Sequence, residues 1–182
     1  FKFTGSISAI PDGTPVFGNE PIVTVKAPII DAQILETILL SFLNANICYT
    51  TAATRVVEAA NGIGVMEFGA RRAMGPEAAV EASKCAIIAG CVGTSNVLAG
   101  QEYGVPVMGT MAHSLVTEAD TEYEAFLNYA KAYPNNCVLL VDTYDVLKSG
   151  VPNAIRVAKE YLIPNGYKLK GIRIDSGDLA YL

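Results

Sequence analysis

The chain has 182 residues, 51% of them hydrophobic and 17% charged, with a formal net charge of −5; its isoelectric point is near 4.9 and its mean hydropathy is +0.33. The acidic balance and the lack of a stripe of Lys and Arg argue against a binder of phosphate backbones, so no nucleic-acid partner is expected. There is ample apolar material for a buried core, in one domain or in a large domain plus a small one. The charged share falls below the average of about 25%, so part of the surface is expected to lie under something outside this chain.

The opening residues Phe1, Phe3, Ile7 and Ala9 are spaced for a strand, Pro11-Asp12-Gly13-Thr14 reads as a turn, and Ile22 to Val25 is a second β-rich run, an antiparallel arrangement. After Asp31, Ile34, Leu35, Ile38, Leu39, Phe42 and Leu43 recur at helical spacing, and the Ala-rich stretch Thr50 to Ala60 continues helical until Asn61-Gly62. We place residues 1–47 in part of a smaller α/β domain and residues 48–182 in the main one. From about residue 64, strands and helices alternate. Strand-like runs cover Val65–Phe68, Val105–Met108, Val138–Val141 and Gly171–Ile174, and helices are predicted over Pro76–Gly90, Asn96–Tyr103, Thr121–Ala132 and Pro152–Leu162. Such alternation with short loops is the pattern of βαβ units, hence of a parallel sheet or part of a barrel.

Cys48, Cys85, Cys91 and Cys137 never form a C-x-x-C pair, and a single histidine cannot complete a usual zinc set with cysteines so scattered. They read as reduced, buried residues. The longest uncharged stretch, Cys85 to Gln101, is interrupted by Gly, Thr, Ser and Asn and falls short of a membrane helix. Phe1-Lys2-Phe3 does not begin a signal peptide. The missing initiator Met and a helix start expected at Asp178 point to a piece of a longer protein.

Chemistry is expected where strands end. His113, the one histidine, follows the apolar run 105–108 and is the first candidate for proton, metal or phosphoryl chemistry, the alternative being a neutral imidazole that hydrogen-bonds locally. Arg71-Arg72 after a strand suits a carboxylate or phosphate, or else surface ion pairs. Gly93-Thr94-Ser95-Asn96 fits an anion loop or a helix N-cap. Asp142-Thr143-Tyr144-Asp145 offers Asp142 to orient an imidazole and Asp145 to cap the helix that follows. Asp175-Ser176-Gly177-Asp178 places two carboxylates around a glycine turn, suited to Mg²⁺, to ribose hydroxyls, or simply to capping. In a parallel α/β architecture these strand ends share a face. No G-x-G-x-x-G follows a strand, so a Rossmann dinucleotide site is not expected.

Taken in order, Glu67-Phe68-Gly69-Ala70-Arg71-Arg72, the Gly93–Gly100 block, Gly109-Thr110-Met111-Ala112-His113-Ser114, the Val141–Asp145 block and Ile172–Asp178 resemble the nicotinate phosphoribosyltransferase family; Ile10–Val16 and Leu35-Glu36-Thr37 resemble its segment before the barrel. The resemblance implies an α/β protein of the type II phosphoribosyltransferase kind, an irregular, here partial, β/α barrel with part of a smaller N-terminal α/β domain. It implies synthesis of nicotinate mononucleotide from nicotinate and phosphoribosyl pyrophosphate with ATP as co-substrate, in NAD salvage, by a cytoplasmic homodimer. It further implies that His113 is phosphorylated by ATP and oriented by Asp142. In the same way Phe68 would stack on the pyridine ring, Arg71 and Arg173 would contact pyridine or phosphoribosyl groups, and Asp175 would lie near the ribose or Mg²⁺. Ser95 favours nicotinate, because the sister family that uses nicotinamide places Asp there and a second carboxylate would repel the substrate's own. Two rival readings are a quinolinate-type phosphoribosyltransferase of the same fold and a non-catalytic assembly module whose polar strand ends are only caps.

Overall fold

A computed structural model describes residues 1–182 and divides them into two compact units, Phe1–Gly109 and Thr110–Leu182. The chain is mixed α/β, and its strands form three separate two-stranded sheets rather than one closed sheet. No helix is long and apolar enough to cross a membrane.

In the first unit, β1 (Ser6–Ala9) and β2 (Val23–Lys26) pair antiparallel, as their alternating sequence predicts. Helix α1 then runs from Ile29 to Ala59 without interruption. Nothing in that stretch is Gly or Pro, so the two helical segments read from the sequence fuse, and the boundary expected between residues 47 and 48 falls inside a continuous helix. Thr50 and Thr54 fit there by donating their hydroxyls to the carbonyls of Asn46 and Thr50, each at 2.8 Å. The left-handed turn at Asn61 (φ 47°) and Gly62 (φ 88°) stops α1.

Strand β3 (Met66–Glu67) pairs parallel with β4 (Gly93–Thr94), the connection passing through α2 (Pro76–Ile88), which has Pro at its first turn. Ala79, Val80, Ser83, Cys85 and Ala86 are the buried face of α2. The run 105–108 does not become a full strand: a single bridge joins Val107 to Thr94, because Pro106 has no N–H to extend a ladder. The segment is nonetheless held along β4 by Thr94 N–H to the Pro106 carbonyl (3.0 Å) and Met108 N–H to the Thr94 carbonyl (2.9 Å). Between them lies α3 (Val97–Tyr103), capped by the Asn96 side chain and ended by Gly104 at φ 64°.

The second unit is built on α4 (His113–Glu118), α5 (Glu122–Ala132), β5 (Val138–Leu140), α6 (Val151–Val157) and β6 (Gly171–Arg173). β5 and β6 are parallel, with Val138 opposite Gly171 and Leu140 opposite Arg173. Their crossover is helical from Val146 to Leu162, with π-helical turns on both sides of α6, so it begins several residues earlier than predicted. Asp145 is the reason: its Oδ1 accepts from the N–H groups of Leu147 (3.1 Å) and Lys148 (2.8 Å) and starts the helix. Phe126, Leu139, Leu140, Val141, Val157 and Leu162 fill a core from which water is excluded. Gly150 touches the end of β5 so closely that a Cβ there would lie 1.9 Å from the Val141 carbonyl oxygen.

Candidate active site

In the second unit, β5 and β6 end side by side, and the two residues that follow them meet. Asp142 leaves β5 after the buried Val141, and its Oδ2 accepts from the backbone N–H of Asp175 (2.9 Å) and from Ser176 Oγ (2.6 Å). The two strand ends are therefore stapled by one carboxylate. Asp142 is almost fully buried, its side chain 2% exposed, and its Oδ1 has no hydrogen-bond partner. That free oxygen faces His113 Nε2 at 4.0 Å, and Asp175 Oδ2 approaches the same nitrogen at 3.6 Å. On the other side of the ring, Nδ1 lies 3.1 Å from Thr143 Oγ1. Burial pushes the Asp142 carboxyl up, but the hydrogen bonds from Ser176 and Asp175 and the adjacent imidazole outweigh it, leaving the group below its ordinary value and ionised at neutral pH.

His113 opens α4 rather than ending a strand, because the run before it is not extended beyond one bridge. Arg173 fixes the segment that leads into it. Its Nη2 donates to Asp175 Oδ1 (2.8 Å), while Nη1 donates to Thr110 Oγ1 and, at 3.4 Å, to the Met111 carbonyl. One guanidinium fork thus bridges the end of β6 to the approach of the histidine. Asp178 takes no part, since its Oδ1 accepts from Ala180 and Tyr181 N–H groups at 3.2 Å and closes a turn, where a helix start had been expected. His113, Asp142, Asp175 and Arg173, four residues singled out in the sequence, therefore form one cluster. Thr143, Ser176 and Thr110 complete it and were not foreseen; each is adjacent to, or within three positions of, a residue that was.

Phe68, Arg71 and Ser95 belong to the first unit. Phe68 follows β3 and is half-buried, Arg71 sits exposed in a 3₁₀ turn at Ala70–Arg72, and Ser95 is exposed directly after β4. The Ser95 N–H donates to the Glu67 carbonyl at 3.0 Å, which sets the residues after β3 and β4 side by side. Asn96 takes the capping role that was one of two readings of its block, its Oδ1 accepting from Ala99 N–H at 3.2 Å.

Nowhere do three or more His, Cys, Asp or Glu side chains converge as a ready metal site. Mg²⁺ does not require one, since it is usually held by one or two carboxylates together with substrate phosphates. The unpartnered Oδ1 of Asp142 and the half-exposed Asp175 meet that requirement. The four cysteines are free; Cys85, Cys91 and Cys137 are buried as expected, with their thiols pushed up by burial and so not placed for nucleophilic chemistry, whereas Cys48 on α1 is exposed, contrary to the expectation that all four are buried.

Comparison with known proteins identifies the family. Residues 63–181 match the model of the nicotinate phosphoribosyltransferase (NAPRTase) family. The chain is 47% identical over 181 residues to nicotinate phosphoribosyltransferase pncB2 of Mycobacterium tuberculosis (strain CDC 1551 / Oshkosh), covering 100% of this chain and 38% of that protein. It is 48% identical over 171 residues to nicotinate phosphoribosyltransferase of Bacillus subtilis (strain 168), covering 94% and 34%. Among solved structures, human nicotinic acid phosphoribosyltransferase superposes with a TM-score of 0.85 at 32% identity, over 97% of this chain and 45% of that one. The nicotinate-nucleotide pyrophosphorylase of Pyrococcus furiosus gives 0.83 at 30% identity, over 96% and 43%. The chain spans less than half the length of these relatives, yet the matched stretch holds every residue of the site just described. With the parallel strand ends, the histidine between two carboxylates and the arginine fork all inside that stretch, this chain belongs to the nicotinate phosphoribosyltransferase family.

Proposed function

We propose that this chain is the part of a nicotinate phosphoribosyltransferase that recognises nicotinate and carries the phosphoryl-accepting histidine, and that its sheets are segments of an irregular β/α barrel. The observation that carries this reading is His113 held with one ring nitrogen toward the carboxylates of Asp142 and Asp175. With the proton on Nε2, directed at those carboxylates, Nδ1 carries the lone pair that acts; it accepts from the Thr143 hydroxyl, which turns away as the phosphoryl group approaches along the same direction. The lone pair attacks the γ-phosphorus of ATP, a nitrogen–phosphorus bond forms, and the bond to the bridging oxygen breaks so that ADP leaves. Positive charge develops on the imidazole during that attack, and two carboxylates within about 4 Å stabilise it electrostatically. Asp142 and Asp175 would hold Mg²⁺, which when bound neutralises phosphate charge.

In the second reaction the pyridine nitrogen of nicotinate bonds to C1 of phosphoribosyl pyrophosphate while the bond to pyrophosphate breaks. The transition state resembles an oxocarbenium ion, so the carboxylate of Asp175 serves there as well. Phe68 supplies a stacking surface for the ring, Arg71 a donor fork for a carboxylate or phosphate, and Ser95 a neutral hydroxyl facing the substrate carboxylate. Arg173 contacts the phosphoribosyl group from its place beside Asp175. The protein is proposed to work in the cytoplasm as a homodimer, in NAD salvage.

Two measurements on the full-length protein test this. With Mg-ATP, acid-labile and base-stable phosphate is expected on the Gly109–Ser114 peptide by mass spectrometry, and His113→Ala is expected to abolish it together with ATP stimulation of turnover. Titration calorimetry with phosphoribosyl pyrophosphate and Mg²⁺ is expected to give saturable heat. An assembly module would give none.

A further inference from the structure

We propose that Glu67 is a positioning residue for nicotinate recognition, acting through the two loops that carry Phe68, Arg71 and Ser95; this rests on the pyridine-binding role proposed above for those loops. Glu67 is the last residue of β3, and its carboxylate turns inward instead of toward a substrate. Oε2 accepts from Thr94 Oγ1 at 2.6 Å and from Ser83 Oγ at 2.8 Å, both donors fully buried. Oε1 accepts from the backbone N–H of Gly69. One carboxylate therefore satisfies three donors from three elements: α2 through Ser83, the end of β4 through Thr94, and the loop after β3 through Gly69.

The consequence lies one residue away on each side. Phe68 sits between Glu67 and Gly69, so the bond from Gly69 back to Glu67 closes a tight turn that fixes the backbone at Phe68 and starts the 3₁₀ turn holding Arg71. Thr94 is followed by Ser95, and its hydroxyl oxygen also accepts from the Asn96 N–H at 3.0 Å. Ser95 itself donates its N–H to the Glu67 carbonyl at 3.0 Å. The two loops thus share one anchor, whose side chain and main chain both take part. Charge-assisted hydrogen bonds of this kind are short and directional, and a carboxylate, as an acceptor with no proton to donate, suits a site where three donors converge.

The amide of glutamine can keep this arrangement. Its oxygen would retain the Gly69 N–H, and its NH₂ would meet two hydroxyls able to reverse: the Ser83 proton can turn to the Ala79 carbonyl, 2.9 Å away, and the Thr94 proton to Ser83 Oγ at 3.2 Å. Alanine removes all three contacts.

The test is steady-state kinetics of the full-length protein with nicotinate varied and then phosphoribosyl pyrophosphate varied, alongside ATP-dependent phosphate incorporation at His113. For Glu67→Ala, the KM for nicotinate is expected to rise at least tenfold, equivalent to about 1.4 kcal/mol, while the KM for phosphoribosyl pyrophosphate and the phosphorylation of His113 change less than about twofold. Glu67→Gln is expected to stay within about threefold of wild type in nicotinate KM. Should Glu67→Ala not fold, Thr94→Val, which removes one hydroxyl at constant volume, carries the test with an expected rise of about fivefold, equivalent to about 1 kcal/mol, the net worth of one hydrogen bond. An unchanged nicotinate KM in the variant that folds overturns the inference, as does a fall in kcat and in His113 phosphorylation together with a parallel rise in both KM values, which is the mark of a merely structural residue. A wild-type protein that does not use nicotinate refutes the functional reading instead, so the two failures are separable.

Discussion

Gly150→Ala tests whether the crossover helix sets the place of Asp142. Gly150 lies in the π-helical turn before α6 with ordinary helical backbone angles (φ −59°, ψ −57°), so alanine is not excluded by conformation. In an open helix the change would stabilise by up to about 1 kcal/mol. Here the added Cβ would stand 1.9 Å from the carbonyl oxygen of Val141 and 2.7 Å from its carbonyl carbon. A carbon and a carbonyl oxygen settle at about 3.3 Å or more, so helix and strand end must part by roughly 1.4 Å. Backbone cannot rotate away as a side chain would, and the surrounding Val141, Val146, Ala154 and Val157 are buried. Overpacking of this kind costs about 3 kcal/mol, the upper part of its usual range, and the helix preference returns about 1 kcal/mol, leaving a net loss of about 2 kcal/mol. Amide hydrogen exchange in the full-length protein reads this locally: protection of β5 and α6 amides is expected to fall roughly thirtyfold. Because Val141 directly precedes Asp142, phosphorylation of His113 is expected to slow as well. Unchanged or increased protection across residues 138–157 would refute the close approach.

Asp142→Asn should act in a pH-dependent way. The folded carboxyl lies below its ordinary value, so its stabilisation is present above the unfolded pKa of about 3.9 and is lost as pH falls through the folded value. Melting curves of wild type and Asp142→Asn are expected to differ at neutral pH and to converge below about pH 4; a gap that persists unchanged below about pH 4 would contradict this sign. Thr121→Ala removes the hydroxyl that accepts from Glu124 N–H at 3.2 Å at the start of α5, and chemical denaturation is expected to register a loss of about 1 kcal/mol. Ser95→Asp is expected to shift the ratio of kcat/KM for nicotinate over nicotinamide by at least about tenfold toward the amide, since like charges brought together cost more than 1.4 kcal/mol; an unchanged ratio would remove Ser95 from the pyridine site.

How much of this was legible in the sequence depends on whether a residue's role is local. The N-cap of α3, the Pro at the first turn of α2 and the glycine stop after α1 need only neighbours a few positions away, and they stand where the sequence puts them. The pairing of β5 with β6 also follows, because two apolar runs separated by one helix leave few alternatives in an α/β chain. Glu67 was not legible. Its partners are 16 and 27 residues away, at Ser83 and Thr94, and each of those reads alone as a common polar residue on a helix or in a turn. Arg173 was singled out, but its contacts were not legible, since its bonds to Thr110 and Met111 cross more than 60 positions. Helix α1 is a different case. Its periodicity announces a helix, but not one without a single buried residue over its length; the apolar face it presents agrees with the low charge content and high mean hydropathy of the chain.

The paired aspartates show why position decides between site and cap. Asp142 and Asp145 follow one strand, Asp175 and Asp178 the other, and in each pair the two carboxylates are chemically equivalent in the sequence. In both, the nearer one enters the cluster around His113, while the one three residues on accepts backbone N–H groups two and three residues ahead of it. The reason is geometric. A residue within two positions of the strand end still follows the strand's direction and faces the neighbouring strand end 4.8 Å or so away, whereas three residues later the chain has turned and the nearest unpaired donors are those of the turn it is entering. The strand end therefore collects acceptors for the cluster around His113 and leaves the next acceptor to start the helix or turn that carries the chain away. Moving Asp142 by one residue would break both arrangements at once, since Asp175 N–H and Ser176 Oγ would lose their acceptor and His113 its buried carboxylate.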